Sequence, residues 1–95
     1  MLDKSVSFAV INSESGSHFE QAKLALISGK HVLIEKPMTI SLEQADELGV
    51  IAKKKGLLIG GILQYRFLRA FREAKKALNS NFIGELISIN CYVLL

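Results

Sequence analysis

The chain has 95 residues, of which 49% are hydrophobic and 22% are charged, and its formal net charge is +3. This composition predicts one small folded domain with a modest core, and it excludes a disordered or low-complexity chain. No apolar run approaches the roughly 18 residues that a membrane-spanning helix needs, and the N-terminus lacks the basic and apolar regions of a secretory signal.

One pattern occurs twice in the first sixty residues. Each copy begins with an apolar run rich in branched residues, first Val6–Ile11 and then His31–Glu35, which predicts a buried strand. A serine then stands three residues before a Glu or Gln, the spacing of a capping box at the start of a helix. A glycine follows each helix and ends it in the left-handed conformation. These cap residues are Ser17, Glu20 and Gly29 in the first copy and Ser41, Gln44 and Gly56 in the second.

A third apolar run, Leu57–Gly61, completes an alternation of strand, helix, strand, helix and strand. Short connections between such elements require crossover units, and therefore a parallel sheet with right-handed connections. Because the runs do not alternate between apolar and polar residues, we expect helices to cover both faces of the sheet. The sequence predicts an α/β, partial Rossmann-like fold with strands near residues 5–11, 31–35 and 57–61 and helices near 17–28 and 42–55.

The rest of the chain differs in kind. An apolar stripe at helical spacing begins at Phe67 and predicts a third helix near residues 67–79. From Ile87 to Val93, apolar and polar residues alternate, which is the pattern of a strand with one buried face. We therefore predict a last strand near residues 85–94 that belongs to a second, antiparallel sheet.

These elements divide the chain into two predicted parts. Residues 1–80 would form the C-terminal half of a Rossmann-like nucleotide-binding domain, and residues 81–95 the first strand of a C-terminal sheet. The chain ends at Leu94-Leu95 without a polar tail or a closing turn. That ending predicts a truncated second sheet.

The sharpest local signal is Glu35-Lys36-Pro37 at the carboxyl end of the second predicted strand. Proline disfavours helical geometry in the preceding residue, so Lys36 is held extended where the strand leaves the sheet. Ligands of open parallel sheets bind just beyond those carboxyl ends, where a lysine can reach a substrate hydroxyl or a cofactor ribose. Short motifs match often, and by itself the tripeptide favours the alternative, a lysine that simply ends a strand in water.

Several other segments accompany this tripeptide in a fixed order. His18 opens the first predicted helix. The segments are Ser28-Gly29-Lys30-His31-Val32, Gly60-Gly61, Gln64-Tyr65-Arg66-Phe67 and Ile83-Gly84-Glu85-Leu86. In order and spacing, across residues 5–94, this set resembles the glucose-fructose oxidoreductase/inositol dehydrogenase (Gfo/Idh/MocA) family of oxidoreductases.

The resemblance implies an NAD(P)-dependent oxidoreductase that uses NAD or NADP and acts on a hydroxyl of a sugar, polyol or sugar derivative. It implies that Lys36 is the catalytic residue nearest to hydride transfer, where it polarises the hydroxyl or holds the nicotinamide ribose. It also implies a cis peptide bond before Pro37. The implied cofactor-binding residues are Asn12, His18, Glu35, Lys36, Pro37, Gln64 and Arg66.

The sequence lacks parts that such an enzyme needs. It contains no G-x-G-x-x-G turn, and no acidic residue about 20 positions after such a turn to bind the ribose. The family's downstream acid/histidine pair would fall beyond Leu95. We therefore expect a fragment that binds the cofactor weakly and is inactive alone. The alternative is a stand-alone oligomerisation or interaction module derived from such an enzyme, because it would keep the same core pattern.

Partners are predicted from charge and from unpaired elements. The intact enzyme would take a small sugar-like substrate. The first and last predicted strands would each lack a neighbour, which favours a homodimer or higher oligomer. The basic clusters carry no interleaved aromatic platform and no zinc spacing, so we expect no nucleic-acid partner. They are Lys53–Lys55 and the set Arg66, Arg69, Arg72, Lys75 and Lys76. Because the two histidines and the one cysteine are far apart in sequence, we expect no metal site, and the lack of a long apolar run predicts no membrane partner. A single cysteine, Cys91, fits a cytoplasmic location.

Overall fold

The computed structural model describes residues 5–92. In this part of the chain the strands are β1 (Phe8–Ile11), β2 (His31–Glu35) and β3 (Ile59–Ile62), and the α-helices are α1 (His18–Ile27), α2 (Leu42–Lys55) and α3 (Arg69–Asn79). Short 3-10 helices lie at Ser15–Ser17 and Gln64–Phe67. The chain divides into two compact units, one that ends at Leu63 and one that begins at Gln64.

The strands form one parallel sheet in the order β1-β2-β3. Ile11, Ile34 and Gly61 occupy one register row, so the three strands finish together at the carboxyl edge. The predicted parallel sheet with crossover helices is therefore confirmed. The bounds of β2 and α2 match the predicted ones, whereas β1 begins at Phe8 rather than at residue 5.

Helices α1 and α2 pack against each other and against one face of this sheet. Val32 and Ile34 lie on that face and are buried, whereas Phe8 and Val10 on the opposite face are 49% and 57% exposed. Our expectation that helices cover both faces is thus wrong for α1 and α2. Right-handed crossovers that step from β1 to β2 to β3 in one direction place both helices on the same side.

The core of the first unit lies between this face and the two helices. Its buried residues are Ile11, Ala22, Ala25, Leu26, Val32, Ile34, Leu48 and Ala52. Three of these residues are alanines on the helices, and Leu26, Ile34 and Leu48 are the largest of the fully buried side chains. An ion pair of 2.6 Å between Lys23 and Glu47 joins α1 to α2 at the surface. Because both its side chains are partly exposed, the apolar core contributes more to the docking of the helices.

The two predicted capping boxes have different outcomes. Ser41 caps α2 by accepting a hydrogen bond from the Gln44 amide at 3.4 Å, while the Gln44 side chain accepts from the amide of Ile40 at 3.2 Å. Ser17 makes no cap bond, because a 3-10 helix leads straight into α1 and holds Ser17 in a helical conformation. Its hydroxyl donates instead to Glu14 Oε1 at 3.2 Å.

The glycines that follow α1 and α2 behave as predicted. Gly29 has a φ of 79° and Gly56 a φ of 64°, the left-handed region that favours glycine. The Gly56 amide donates to the carbonyl oxygen of Lys53 at 3.3 Å and so closes the last turn of α2. Both chain reversals therefore end the helices where the sequence predicts.

The second unit departs further from the prediction. Helix α3 begins at Arg69 rather than near residue 67, because the preceding residues form a 3-10 helix. The strand predicted over residues 85–94 is not formed within the described part, since residues 86–92 have no regular structure. A strand needs a partner for its backbone groups, and none of the described residues pairs with this segment. Residues 93 and 94 lie outside the described residues, and the boundary predicted between residues 80 and 81 stays a prediction.

The described helices are short. The longest of them, α2, has 14 residues, and no helix within residues 5–92 has the length and apolar character to cross a bilayer. Over the same residues, no three His, Cys, Asp or Glu side chains gather as they would around a metal ion.

The buried leucine of α2 gives a test of this core. Leu48 is fully buried, and replacement by alanine removes apolar contacts and leaves a cavity. We expect Leu48→Ala to lower the free energy of unfolding by about 2–5 kcal/mol. Leu42→Ala on the same helix is the control, because Leu42 is 72% exposed, and it should change that free energy by less than about 0.5 kcal/mol. Urea unfolding followed by circular dichroism measures both, and equal losses would contradict this core.

The first turn of α2 predicts a pH dependence. A hydrogen bond from the amide of Glu43 and one from the Ser41 side chain lower the pKa of the Glu43 carboxyl below its ordinary 4.5, and burial opposes them. The charged form thus stabilises the fold above pH 4.5, and this stabilisation is lost as the pH falls through the lower, folded-state pKa. Unfolding of Glu43→Gln in urea should show a deficit against the unaltered chain near pH 7. The deficit should shrink as the pH is lowered below 4.5 and the carboxyl is protonated, and a deficit independent of pH would refute this account.

Candidate functional site

Three of the predicted site residues lie at the carboxyl ends of the neighbouring strands β1 and β2. Asn12 follows β1 directly, Glu35 is the last residue of β2 and Lys36 comes next. Because Ile11 pairs with Ile34, Asn12 and Glu35 stand one step beyond the same register row. Neighbouring strands lie about 4.8 Å apart, so the loops that leave β1 and β2 run side by side.

Lys36 is exposed at this edge, and the peptide bond between Lys36 and Pro37 is cis, as the resemblance implies. Beyond Pro37 the loop turns back toward the core, where Met38 packs against the buried cluster. The Thr39 hydroxyl donates to the carbonyl oxygen of Ser41 at 2.9 Å at the start of α2. The loop that carries Lys36 is therefore anchored on both sides, while the lysine side chain faces solvent.

His18, the first residue of α1, is 1% exposed. Its Nδ1 lies 2.8 Å from the carbonyl oxygen of Pro37, and its Nε2 lies 3.0 Å from the carbonyl oxygen of Ser13. The ring thus joins the loop after β1 to the loop after β2. His18 is therefore buried next to the loops that carry Asn12 and Lys36, and both of its ring nitrogens contact backbone carbonyl groups.

The loop after β1 is held by further polar contacts. The Ser13 hydroxyl donates to Gln21 Oε1 on α1 at 3.0 Å. Glu14 accepts from the amide of Ser17 through its carbonyl oxygen at 3.0 Å and from the Ser17 hydroxyl through its carboxylate. The Glu14 carboxylate is therefore bonded within its own loop. The sequence does not predict the contact between Ser13 and Gln21. The two residues are eight positions apart, one in a loop and one in a helix, and no known motif has that spacing.

Two glycines lie in the middle of β3, before its last residue, Ile62. A Cβ atom on Gly60 would meet Leu33 Cδ1 at 3.4 Å, and one on Gly61 would meet Met38 Sδ at 3.9 Å. Both distances are van der Waals contacts, so neither glycine is required by sterics.

The amino end of β2 holds the other residues of the G-K-H-V-L-I-E-K-P segment. Lys30 is 4% exposed, and its ammonium group donates to the carbonyl oxygen of Val6. His31 Nδ1 accepts from the amide of Leu58 at 2.9 Å. These two residues tie the amino ends of the strands together, at the end of the sheet opposite Lys36, so their role is structural.

Two predicted site residues belong to the second unit. Gln64 and Arg66 lie on the 3-10 helix Gln64–Phe67, and both are exposed. Within that unit, the rings of Tyr65 and Phe71 stack with centroids 6.4 Å apart. Gln64 and Arg66 are accessible to a ligand, and their assignment to the cofactor stays a prediction.

Comparison with known proteins gives a consistent result. A family model described as an oxidoreductase family with an NAD-binding Rossmann fold matches residues 1–62. The uncharacterized oxidoreductase YhhX of Escherichia coli (strain K12) is 43% identical over 90 residues, which are 95% of this chain and 26% of that protein. The scyllo-inositol 2-dehydrogenase (NADP(+)) IolW of Bacillus subtilis (strain 168) is 32% identical over 90 residues, 95% of this chain and 24% of that protein.

Solved structures agree in fold. The crystal structure of a probable oxidoreductase, yhhX, matches 87% of this chain and 24% of its own with a TM-score of 0.83 and 47% identity. The apo scyllo-inositol dehydrogenase of Lactobacillus casei matches 83% of this chain and 24% of its own with a TM-score of 0.76 and 30% identity. The chain spans about a quarter of the length of the relatives that it matches.

Proposed function

Because the chain belongs to the Gfo/Idh/MocA family of oxidoreductases with an NAD-binding Rossmann fold, we propose that it forms the nicotinamide side of an NAD(P)-dependent active site. The reaction is oxidation of a hydroxyl, or the reverse, on a sugar, polyol or sugar derivative. Lys36 is the catalytic residue. The activity is that of a larger enzyme, since the chain spans about a quarter of its relatives.

One observation carries this proposal. An exposed lysine follows a central parallel strand at its carboxyl end, on a loop that is tied to the neighbouring loop through His18. The carboxyl ends of parallel strands are where open α/β sheets bind their ligands. A lysine in solvent without such support would be free to move, whereas the backbone next to Lys36 is fixed at Pro37.

The polar groups at this edge suit the ribose and nicotinamide part of the cofactor. The Asn12 amide and the Lys36 ammonium can donate to ribose hydroxyls, and the Glu35 carboxylate can accept from them. When bound, the nicotinamide ring supplies the acceptor for a hydride. The pyrophosphate requires a glycine turn at a helix N-terminus. This sequence has no G-x-G-x-x-G, so under this proposal another segment holds the phosphates.

Lys36 acts on the substrate through its charge. Its ammonium group would donate a hydrogen bond to the reacting oxygen. In oxidation the hydroxyl proton would pass to a base elsewhere in the enzyme, and the ammonium group would stabilise the negative charge that the oxygen then carries until the hydride leaves the carbon. In the reverse direction it would stabilise the negative charge that develops on the carbonyl oxygen as the hydride arrives. A group aimed at developing charge raises the turnover number rather than ground-state affinity. Pro37 supports this role, because it holds the Lys36 backbone extended.

The polyol substrate class is supported by the names of relatives. IolW is named for scyllo-inositol and NADP(+), and a relative from Ensifer adhaerens that is 32% identical over 90 residues is named 1,5-anhydro-D-fructose reductase. Both names specify a polyol or a sugar derivative. For this chain we propose the class alone.

Assembly with other chains also stays a prediction. Strand β1 is an edge of the described sheet, and its exposed Phe8 and Val10 leave apolar surface beside it. An unpaired apolar edge favours pairing with another strand. This supports a homodimer or higher oligomer, and a cytoplasmic location stays a prediction with it.

A hybrid enzyme tests the role of Lys36. The chain replaces the matching segment of IolW, and oxidation of scyllo-inositol with NADP(+) is followed by the absorbance of NADPH. We expect Lys36→Ala to lower kcat by about a hundred- to ten-thousandfold with a smaller change in KM. Lys54→Ala, which removes an exposed lysine at the end of α2, is the control and should leave kcat unchanged.

Two outcomes would count against the proposal. One is a Lys36→Ala hybrid that keeps the turnover number of the unaltered hybrid. The other is a hybrid that unfolds cooperatively on heating, and so is folded, but oxidises no scyllo-inositol.

Cofactor affinity gives a second test. The chain alone lacks the backbone amides and the helix N-terminus that hold pyrophosphate, so we expect it to bind NADH and NADPH far more weakly than the hybrid does. Isothermal titration of both proteins with each cofactor measures the difference. A dissociation constant in the low micromolar range for the chain alone would show that the nicotinamide side suffices for binding.

A further inference from the structure

One buried side chain is bonded to both loops at the carboxyl edge. The His18 ring lies 2.8 Å from the carbonyl oxygen of Pro37 through Nδ1 and 3.0 Å from that of Ser13 through Nε2. Pro37 follows Lys36, and Ser13 follows Asn12. Each contact therefore holds the peptide group next to a residue of the proposed site.

Each ring nitrogen faces a backbone carbonyl oxygen within hydrogen-bond distance. A carbonyl oxygen only accepts, and either ring nitrogen can carry a proton and donate to the carbonyl that it faces. Because His18 is 1% exposed, no nitrogen remains to bind a ligand directly.

The ring has a rigid support. His18 begins α1, and Ala22, Ala25 and Leu26 of the same helix are buried in the core. Loops are the mobile part of most folds, whereas this helix is packed against β1, β2 and α2. The core thus fixes the position of the ring, and the ring contacts the backbone of both loops.

We infer that His18 is a positioning residue, which clamps the loop after β1 to the loop after β2 and so sets where Asn12 and Lys36 stand. The inference rests on the proposed function of Lys36. In it, His18 acts through backbone carbonyl groups and makes no contact with the cofactor.

A double-mutant cycle in the IolW hybrid tests this inference. We expect His18→Ala to lower kcat for scyllo-inositol oxidation by about ten- to a hundredfold, as small misplacements of a reacting group do. If the ring acts through Lys36, adding His18→Ala to Lys36→Ala should lower kcat by less than about twofold further, because groups that act as a unit are non-additive. His18→Gln, whose amide nitrogen can donate to one of the two carbonyls, should fall between His18→Ala and the unaltered hybrid.

A control separates positioning from loss of stability. Leu48→Val removes part of a fully buried side chain on α2, and not on the helix that carries His18. It should lower the melting temperature, leave kcat unchanged and act independently of Lys36→Ala. Amide hydrogen exchange followed by mass spectrometry gives the direct readout. In His18→Ala, residues 12–17 and 36–41 should exchange faster, and residues 31–35 should not.

Each outcome decides one point. If the His18 and Lys36 effects multiply, or if exchange in the two loops is unchanged, the clamp is refuted while the role of Lys36 stands. If Lys36→Ala alone leaves kcat unaltered, the proposed function fails, and the inference about Lys36 fails with it. If His18→Ala does not fold, the same cycle and the same exchange measurement with His18→Gln decide between these outcomes.

Discussion

The parallel register of β2 with both of its neighbours is the constraint on which the first unit depends. It places Val32 and Ile34 on the face that packs against α1 and α2, where both are buried. A slip of one residue would turn these two side chains to the opposite face and remove them from the core. The same register decides that Asn12 and Lys36 leave the sheet side by side, so the burial of two apolar residues fixes the geometry of the polar edge.

The two ends of β2 have different roles, although one continuous segment encodes both. At the amino end, Lys30 and His31 bond to backbone groups of the segments that precede β1 and β3. At the carboxyl end, Lys36 is exposed, and only the backbone beside it is fixed. A buried lysine is tolerated when its ammonium group is bonded, whereas a lysine that must reach a substrate needs solvent. Lys30 and Lys36 thus stand at opposite ends of the strand, the first buried and bonded to backbone and the second exposed at the proposed site.

Most of the first unit was predictable from sequence because its signals are local. Apolar runs, a capping serine at Ser41 and glycines at the helix ends predicted the order of its elements and the bounds of β2 and α2, whereas β1 and β3 begin later than predicted. Three features were not predictable in this way. Ser17 does not cap α1, because a 3-10 helix precedes that helix. The side of the sheet on which α2 packs depends on the order of the strands. Residues 86–92 alternate between apolar and polar residues but have no partner strand among the described residues. Each depends on neighbours that periodicity does not encode.

The candidate site, too, could be predicted only where its signals are local. The candidate site at Glu35-Lys36-Pro37 could be predicted because a lysine before proline at a strand end has a local physical reason. The family resemblance supports the same prediction. The hydrogen-bond partners of His18 could not be predicted from the sequence, because both are backbone carbonyl groups, which any residue could supply. A strand end can fix where a loop begins, but it cannot fix where the loop goes. The burial of His18 and the exposure of Lys36 are complementary under the proposed function. The ring shares the rigidity of the core from inside it, and the lysine meets a substrate from outside it.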